Sequence, residues 1–391
     1  MARNPLDLIF GAPTTVAIDI GSTSIKLMEC RSEGDRVVAT RMGMAPTPPG
    51  ALNNASVVDP IIIGEVIREL MRSTGCSAKL AVCAVTDPSL VATRVQVPRR
   101  DPQTLAKAMP FEARSHIPFG AEEGEIAWQI LDAESDDPQM SVLLVAARNE
   151  AVEGRVQAIE MAGLTPVVMD AVQFAILRAQ VYASTESRVF DETVLLLHIG
   201  ASFTEMTIVW KGCFAFPRIV PIAGLSMDHA VASAFSVDPE EGRRIKETQA
   251  VACTRDEISS LPAEQQQASL SIAPVLEEIV RDTQTSLNFL TQSFQLAGAE
   301  TTTDRLIVSG GTSRLPGLPE YLQATLGTPT TVFDVFRDTA LEAPSYDPSF
   351  LSDLSPYMSV VAGLALREPI ASGTYRVLGQ PESQPLPVAS T

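Results

Sequence analysis

Cysteine and histidine are scarce in this chain of 391 residues. The five cysteines are Cys30, Cys76, Cys83, Cys213 and Cys253, and the three histidines are His116, His198 and His229. Because the number of cysteines is odd and no two form a Cys-x-x-Cys pair, we expect reduced thiols in small core positions rather than a disulfide framework. Scattered cysteines and so few histidines do not favour a zinc site.

Long hydrophobic runs and clusters of basic residues are also missing. No apolar run approaches the ~18 residues of a membrane-spanning helix. The apolar stretch 6–10, inside the N-terminal segment 1–13, is too short for the core of a signal peptide. The 29 basic and 47 acidic side chains give a net charge of −18, which disfavours nucleic-acid binding because phosphate contacts need clustered Lys and Arg. We therefore expect a cytoplasmic protein with no nucleic-acid partner and no direct insertion into a membrane.

A hairpin rich in hydrogen-bond donors is present near the start of the chain. Residues 16–20 form an apolar strand that carries Asp19, Gly21 permits a tight turn, and a second strand with Lys26 follows. The turn hydroxyls belong to Ser22, Thr23 and Ser24. Converging N–H groups and a lysine bind phosphate, and a carboxylate beside phosphate can hold Mg²⁺. The spacing fits neither a Walker loop nor a Rossmann fingerprint, and an ordinary hairpin with a glycine turn remains the alternative.

The same pattern recurs in the second half of the chain. Residues 194–199 predict a buried strand, Gly200-Ala201-Ser202 a turn, and residues 203–210 the next strand. A later strand, 305–308, ends at Ser309-Gly310-Gly311, where glycine lets the backbone approach a ligand closely. Two strand–turn–strand units about 180 residues apart predict a duplicated α/β fold with two facing lobes.

This order of motifs is similar to that of the actin-like ATPases, and further stretches narrow the resemblance. The chain resembles the type IV pilus assembly protein PilM family, a relative of the cell-division protein FtsA. The matching stretches, between about residues 14 and 366, are 17–27, 112–113, 117–119, 142–148, 162–164, 199–201, 309–311 and 315–318. The block with Ile117-Pro118-Phe119 is the more specific part, because sugar kinases and Hsp70-type chaperones share the phosphate loops.

The resemblance implies an actin-like (actin/Hsp70/FtsA) two-lobed ATPase fold with a 1C-type inserted subdomain. It also implies a cytoplasmic scaffold of the type IV pilus inner-membrane platform that binds ATP and Mg²⁺. Its partner would be the N-terminal cytoplasmic tail of PilN, held in a groove between subdomains 1A and 1C near the apolar elements of residues 80–119. The same resemblance implies contacts with other platform proteins and self-association into a ring or oligomer. It also implies a peripheral position at the inner membrane through the partner.

The implied domain order divides the chain into consecutive segments. They are an N-terminal segment 1–13, subdomain 1A 14–98, subdomain 1C 99–164, more of 1A 165–190, subdomain 2A 191–235, subdomain 2B 236–300, more of 2A 301–345, a closing helix on 1A 346–368 and a disordered tail 369–391. Asp59-Pro60 and Asp101-Pro102 predict helix starts, and a third helix is predicted to begin at Asp170. Pro110 is expected to kink or split the second of these helices.

Carried onto this sequence, the resemblance gives each candidate site residue a role. The phosphate contacts are Gly21, Ser22, Thr23, Ser24 and Lys26 in the first loop, and Gly200, Ala201 and Ser202 in the second. The residues that frame the adenosine are Gly310, Gly311 and Lys246. The metal positions are Asp19 and His198, and the catalytic candidate is Asp170.

Besides Pro110, which distorts the predicted helix relative to the family pattern, three positions need comment. His198 stands where the second loop normally has Asp, and imidazole lacks the charge and the hard oxygen that Mg²⁺ prefers. His198 therefore either hydrogen-bonds a phosphate or is satisfied within a degenerate cleft, and we expect hydrolysis to be slow or absent. Arg243 replaces a Glu near the ribose, which removes a hydrogen-bond acceptor. Asp170 either acts on the attacking water or caps its helix, and the cap is favoured.

Two other functions stay open. A phosphotransferase or true ATPase on the same fold, such as a sugar kinase, would need a catalytic carboxylate in the cleft, and the sequence offers no convincing base. A pseudo-ATPase adaptor would bind no nucleotide at all. The amphipathic C-terminal helix of FtsA has no counterpart between residues 371 and 391, which disfavours FtsA itself.

Overall fold

The structure, a computed structural model, describes residues 15–33, 36–132, 137–296 and 302–371. Backbone contacts divide the chain into two compact units. Unit 1 comprises Met1–Glu29 and Arg41–Val172, and unit 2 comprises Cys30–Thr40 and Gln173–Thr391. The predicted N-terminal segment 1–13 and residues 372–391 of the predicted tail lie outside the described residues. Each unit has its own core.

Unit 1 combines β-sheets with helices that cover them. Its first elements are β1 Thr15–Ile20, β2 Ser24–Glu33, β3 Arg36–Pro46, β4 Leu52–Asn53, β5 Ser56–Val57 and α1 Pro60–Thr74. The next are β6 Leu80–Val85, β7 Val91–Pro98, α2 Pro102–Ala113, β8 Gly124–Ile130, β9 Gln139–Arg148, α3 Asn149–Met161 and β10 Thr165–Ala171. The main sheet has the order β10-β6-β1-β2, with β6 parallel to β10 and β1. Strands β2 and β3 also contribute residues to unit 2.

The local sequence explains where helix α1 begins and ends. The carboxylate of Asp59 accepts the N–H of Ile62 at 3.1 Å, and Pro60 occupies the first helical position. Gly75 ends the helix with φ of 69°. This confirms the predicted helix start. The buried face of the helix consists of Ile63, Gly64, Ile67 and Leu70.

A separate three-stranded sheet in unit 1 has the order β7-β9-β8. Leu105 and Met109 of α2 share its core, together with Val95, Val142 and Leu144 of the strands. Strand β7 lies before residue 99, whereas α3, within the predicted range 99–164, packs against α1. The boundaries 99 and 164 of the inserted subdomain stay a prediction. The strand pairing of this sheet begins earlier, at Val91.

Helix α2 is not split at Pro110, and a kink at this residue stays a prediction. The helix starts as predicted, because the carboxylate of Asp101 accepts the N–H groups of Gln103 and Thr104, both at 3.0 Å. It then runs unbroken to Ala113. Pro110 deprives the carbonyl of Ala106 of its helical donor, but both residues are exposed and water can bind that carbonyl.

Unit 2 is a second sheet covered by helices. Its strands are β11 Thr193–Ile199, β12 Thr204–Trp210, β13 Cys213–Val220, β14 Arg305–Ser309, β15 Thr330–Val332 and β16 Leu341–Glu342. Its helices are α4 Val172–Leu177, α5 Gly224–Phe235, α6 Pro239–Gln249, α7 Arg255–Ile258, α8 Ala263–Leu296, α9 Leu318–Leu326, α10 Val335–Asp338, α11 Pro348–Leu354, α12 Ser359–Ala365 and α13 Arg367–Ala371. A π-helical turn, Arg178–Tyr182, continues α4. The sheet order is β13-β12-β11-β14-β15, and β16 pairs in parallel with residues 37–38 of β3.

The alternation of side chains along β11 positions the candidate site of unit 2. Leu195, Leu197 and Ile199 enter the core that the sheet forms with α5 and α8. His198 therefore lies on the opposite face of the sheet, because successive residues of a strand point to opposite sides. Glu205 on β12 shares that face, since it is the register partner of His198.

The predictions for the segments after residue 164 can be compared with the observed helices, strands and units. Asp170 lies in β10 and α4 begins at Val172, so the predicted helix start at Asp170 was wrong because strand pairing continues to Ala171. Residues 165–190 are divided between the units after Val172, and residues 346–368 fall in unit 2. Their assignment to subdomain 1A stays a prediction. Residues 369–371, predicted as disordered, belong to α13.

The contact between α1 and α3 predicts the effect of replacing Gly64 with alanine. A Cβ at Gly64 would lie 2.5 Å from Cβ of Met161 and 2.9 Å from the carbonyl oxygen of Ala158. Helix propensity alone predicts that Gly64→Ala stabilises by about 1 kcal/mol. We expect the opposite sign, a loss of about 1–3 kcal/mol in the free energy of unfolding, because the two helices must separate. Urea denaturation measures this change.

The matched control is Glu65→Ala, on the exposed side of the same helix. It should change the free energy of unfolding by less than about 0.5 kcal/mol. A Gly64→Ala protein as stable as the control would contradict the close helix contact.

Candidate functional site

The first predicted phosphate loop is an ion-paired hairpin in unit 1. Asp19 on β1 and Lys26 on β2 are register partners, and their Oδ2 and Nζ atoms lie 3.0 Å apart. The side chains are only 14% and 11% exposed, respectively. The ammonium group of Lys26 therefore occupies one oxygen of Asp19 and remains available to a second anion at the turn.

The turn between these strands is held by hydrogen bonds inside unit 1. The N–H of Gly21 donates to the carbonyl of Ser24 at 3.1 Å, and the hydroxyl of Thr47 donates to the carbonyl of Gly21 at 2.7 Å. The N–H of Thr47 donates to the carbonyl of Thr23 at 3.1 Å. A Cβ at Gly21 would lie 2.8 Å from Nζ of Lys26, so only glycine leaves the lysine in place. Thr47 has no motif of its own and was missed by sequence reasoning.

The second predicted loop is a hairpin with the same turn geometry in unit 2. The N–H of Gly200 donates to the carbonyl of Phe203 at 3.0 Å, as the N–H of Gly21 does to Ser24 in the first hairpin. Gly200, Ala201 and Ser202 form this turn between β11 and β12. The N–H groups of Gly224 and Leu225 at the start of α5 donate to the carbonyls of Gly200 and Ala201, at 3.1 and 2.8 Å. The turn is thus fixed by the helix that follows.

His198, immediately before this turn, is held by a buried hydrogen-bond chain. Its Nδ1 lies 2.9 Å from Oγ of Ser309, and Nε2 of Gln180 donates to the same Oγ at 2.6 Å. Ser309 is fully buried and Gln180 nearly so. Because Gln180 donates to Oγ, the Ser309 hydroxyl can give its proton to Nδ1, which leaves the neutral ring protonated at Nε2. Gln180 comes from the π-helical turn, and nothing in its sequence neighbourhood marked it.

The Gly310-Gly311 motif reaches the second hairpin. Gly310 has φ of 90°. The hydroxyl of Thr312, which follows Gly311, donates to the carbonyl of Gly200 at 2.9 Å. The structure therefore brings the predicted residues Gly200, Gly310 and Gly311 together within unit 2.

Lys246 lies near the same region but is already ion-paired. Its Nζ is 2.5 Å from Oδ1 of Asp228, and the two side chains are 11% and 4% exposed. Nζ is also 3.5 Å from the carbonyl of Gly224 at the start of α5. Arg243, on the same helix as Lys246, is half exposed and reaches Glu247 at 3.9 Å. The charge of Lys246 is thus balanced by Asp228 inside the protein. A role of Lys246 toward adenosine stays a prediction.

Two further polar groups of unit 1 are the partly buried Asp170 and the fully buried Arg155. The carboxylate of Asp170 accepts the N–H of Ala171 at 2.9 Å, and its catalytic role stays a prediction. Arg155, buried in α3, donates to the carbonyls of Ala151 and Ala55, each at 2.8 Å. Burial lowers the pKa of its guanidinium, and nearby Cys83, Asp19 and Asp87 act in the opposite direction. Sequence reasoning missed Arg155, since a lone arginine in an amphipathic helix is usually exposed.

The donor set of the second hairpin does not fit a magnesium ion. Mg²⁺ prefers oxygen ligands, and His198 presents nitrogens, one of them bonded to Ser309. In unit 1 the only carboxylate at a predicted metal position is Asp19, which is paired with Lys26. Across the described residues, no three or more His, Cys, Asp or Glu side chains are grouped to hold a metal. Nor does any helix in that part of the chain have the length and apolarity to cross a membrane.

Comparisons with known proteins identify the family and the fold. Residues 17–369 match the family model of the type IV pilus assembly protein PilM. The chain is similar to a protein in the solved PilM-PilN type IV pilus biogenesis complex, with 26% identity over 90% of this chain and 98% of that chain, and a TM-score of 0.77. It is also similar to the ethanolamine utilization protein EutJ from Carboxydothermus hydrogenoformans, with 16% identity over 91% of this chain and 90% of that one, and a TM-score of 0.55. The predicted actin-like α/β fold is confirmed.

The buried pair Lys246–Asp228 generates a stability prediction. Lys246→Met leaves the carboxylate of Asp228 buried without its partner, so we expect a loss of about 3 kcal/mol in the free energy of unfolding. The double variant Lys246→Met/Asp228→Leu should regain much of this loss, because the uncompensated charge is gone. Urea denaturation measures both.

Arg243→Met is the matched control on the same helix, and its exposed pair should contribute less than about 0.5 kcal/mol. If Lys246→Met is no more destabilising than Arg243→Met, Lys246 has no structural ion pair and is free for a ligand.

Proposed function

This chain belongs to the family of the type IV pilus assembly protein PilM, and on that premise we propose that it is an actin-like scaffold of the inner-membrane platform that assembles the type IV pilus. The observation that carries this proposal is the similarity to a protein of the PilM-PilN complex over 98% of that protein's length. A likeness of such extent leaves no large part of that protein without a counterpart here. The proposed partner is the cytoplasmic N-terminal tail of PilN, which would place this protein at the cytoplasmic side of the inner membrane.

Unit 1 offers surfaces suited to a peptide. The sheet β7-β9-β8 and helix α2 form a small body with its own core, distinct from the main sheet of the unit. On α2 the ring of Phe111 is 67% exposed, and the guanidinium of Arg114 lies 5.1 Å from its centroid. An exposed aromatic ring beside a cation is typical of the anchors that dominate binding energy in protein interfaces. We propose that the PilN tail binds along this part of unit 1, within residues 80–119.

Titration with a synthetic N-terminal tail of PilN from the same organism tests this proposal. We expect saturable binding in the micromolar range or tighter by calorimetry. Phe111→Ala should weaken it about tenfold or more, because an aromatic anchor contributes at least about 1.4 kcal/mol.

The control is Phe350→Ala, which removes another exposed phenylalanine, in unit 2. Its affinity for the peptide should equal that of the unchanged protein. If the tail does not bind at all, the chain has another role on the actin-like fold, and equal effects of the two variants would rule out Phe111 as the anchor.

The two hairpins support a second element of the proposal, binding of ATP. In unit 1 the turn 21–24 and Lys26 would contact phosphate. In unit 2 the turn 200–202 would do so, with Gly310 and Gly311 near the adenosine. A bound nucleotide would act as a marker of state rather than as a rapidly hydrolysed substrate, since unit 2 lacks the usual aspartate. Hydrolysis would then be slow or absent.

Replacing Lys26 tests nucleotide binding. We expect Lys26→Ala to weaken ATP binding about tenfold or more, because a charge-assisted hydrogen bond contributes about 1.5–3 kcal/mol. Equilibrium dialysis measures the affinity, and a thermal shift with ATP gives an independent readout.

Lys107→Ala, which removes an exposed lysine on α2 of the same unit, should bind ATP normally. If the unchanged protein shows neither binding nor a thermal shift at millimolar ATP, the chain is a pseudo-ATPase adaptor. A fast, substrate-dependent turnover would instead favour a phosphotransferase.

A further inference from the structure

Unit 2 contains a cavity of about 430 Å³. The described residues that line it all belong to unit 2 and include none of the predicted nucleotide turns 200–202 and 310–311. Strands β14 and β15 contribute Ile307 and Thr331, which are register partners. Further apolar surface comes from Val189, Val332 and Phe333. The volume is within the range of about 300–1,000 Å³ that small-molecule sites in proteins occupy.

Arginine is concentrated around this cavity, although the whole chain has a net charge of −18. The side chain of Arg305 is only 9% exposed. Its Nη1 donates to Glu186 at 2.5 Å, and its Nε donates to Glu192 at 3.0 Å. Because two glutamates compensate its charge, Arg305 stabilises the wall of the cavity and is not the group that a ligand would need.

The other two arginines of the cavity, Arg188 and Arg337, keep donors that the protein does not use. Nε of Arg188 donates to Glu186 at 3.1 Å, and its two Nη atoms have no partner in the part of the chain that the structure describes. Arg337 uses Nε and Nη2 for Asp338 and the carbonyl of Val332, and within the same described residues its Nη1 has no partner. The two side chains are 63% and 65% exposed, so a ligand can reach them from solvent.

The charge of the lining favours an anionic ligand. The lining carboxylates, Glu186 and Asp338, already accept hydrogen bonds from arginines. Three guanidinium groups against these two carboxylates leave an excess of one positive charge among the described lining residues. The N–H groups of guanidinium match the oxygens of a carboxylate or a phosphate, and the neighbouring apolar side chains would contact an uncharged part of the same ligand.

We propose that this cavity binds a small molecule with one carboxylate or phosphate group and an apolar body. The anionic group would accept hydrogen bonds from Arg188 and Arg337, and the apolar body would lie against Val189 and Ile307. This site would be separate from the proposed peptide and nucleotide sites and does not depend on either of them.

A fluorescent probe with this chemistry tests the site on the full chain. The probe is 8-anilinonaphthalene-1-sulfonate, whose sulfonate represents the anionic group and whose rings represent the apolar body. We expect saturation at one probe per chain. N-phenyl-1-naphthylamine has the same rings without the sulfonate and should bind at least about fivefold more weakly, because hydrogen bonds to a charged group add affinity. Equal affinity of the two probes would overturn the proposal.

Variants of the two exposed arginines locate the bound probe. Arg188→Met and Arg337→Met should each weaken the binding of the sulfonate about fivefold or more, because each removes guanidinium donors. The matched control is Arg244→Met, since Arg244 is also in unit 2, is 69% exposed and is paired with a glutamate. The control should bind the probe as the unchanged protein does. Equal affinities of all three variants would overturn the site.

Filling the cavity tests it without removing a charge. Thr331 is exposed on β15 and lines the cavity, so Thr331→Trp places a large side chain there. We expect this variant to lose the saturable binding of the probe, and unchanged binding would overturn the proposal. Circular dichroism shows whether the variant is folded, and the arginine variants decide the proposal if it is not.

Displacement of the bound sulfonate probe identifies the anionic group. Hexanoate carries a carboxylate, hexyl phosphate carries a phosphate, and 1-hexanol carries neither. We expect at least one of the two anions to displace the probe at a concentration at least about fivefold lower than 1-hexanol does. The more effective anion then names the group that the cavity prefers. If 1-hexanol is as effective as both anions, the cavity does not recognise an anion and the proposal is wrong.

Discussion

The tight glycine turn is the constraint on which both candidate sites depend. In each hairpin the N–H of a glycine closes the turn on a carbonyl three residues later, at 3.1 Å for Gly21 and 3.0 Å for Gly200. This bond sets the register of the two strands, and the register decides which side chains face each other. Asp19 therefore meets Lys26, and His198 meets Glu205. The length of each turn therefore decides which charged side chains face each other beside the predicted phosphate loops.

Each hairpin is supported from its own unit rather than by its own strands alone. Thr47, which directly follows β3, holds the first turn through two hydrogen bonds. In the second, the start of α5 and the hydroxyl of Thr312 bind the turn carbonyls. These carbonyls are therefore satisfied within the protein. A turn held in this way would need little reorganisation to bind an anion as proposed.

Two lysine–aspartate ion pairs are nearly buried in this acidic chain. Lys26 and Lys246 are both nearly buried, and each is matched to one aspartate in its own unit. The lysine in the hairpin sits beside a turn that can accept an anion, whereas the lysine on α6 is enclosed by α5. The same residue type thus forms a buried ion pair in both places, and a binding role is proposed for Lys26 because its pair lies beside a turn.

The sequence by itself determined the duplicated hairpins, the glycine turns, the helix starts at Asp59 and Asp101 and the family, because these depend on local spacing and on side chains that act within a few residues. It could not determine the partner of Lys246, the chain from Gln180 through Ser309 to His198, or the support from Thr47, because these join residues far apart in sequence. It also misplaced the start of α4, where strand pairing overrode local preference. Only the tertiary structure decided these, since long-range packing fixes which polar groups must satisfy one another.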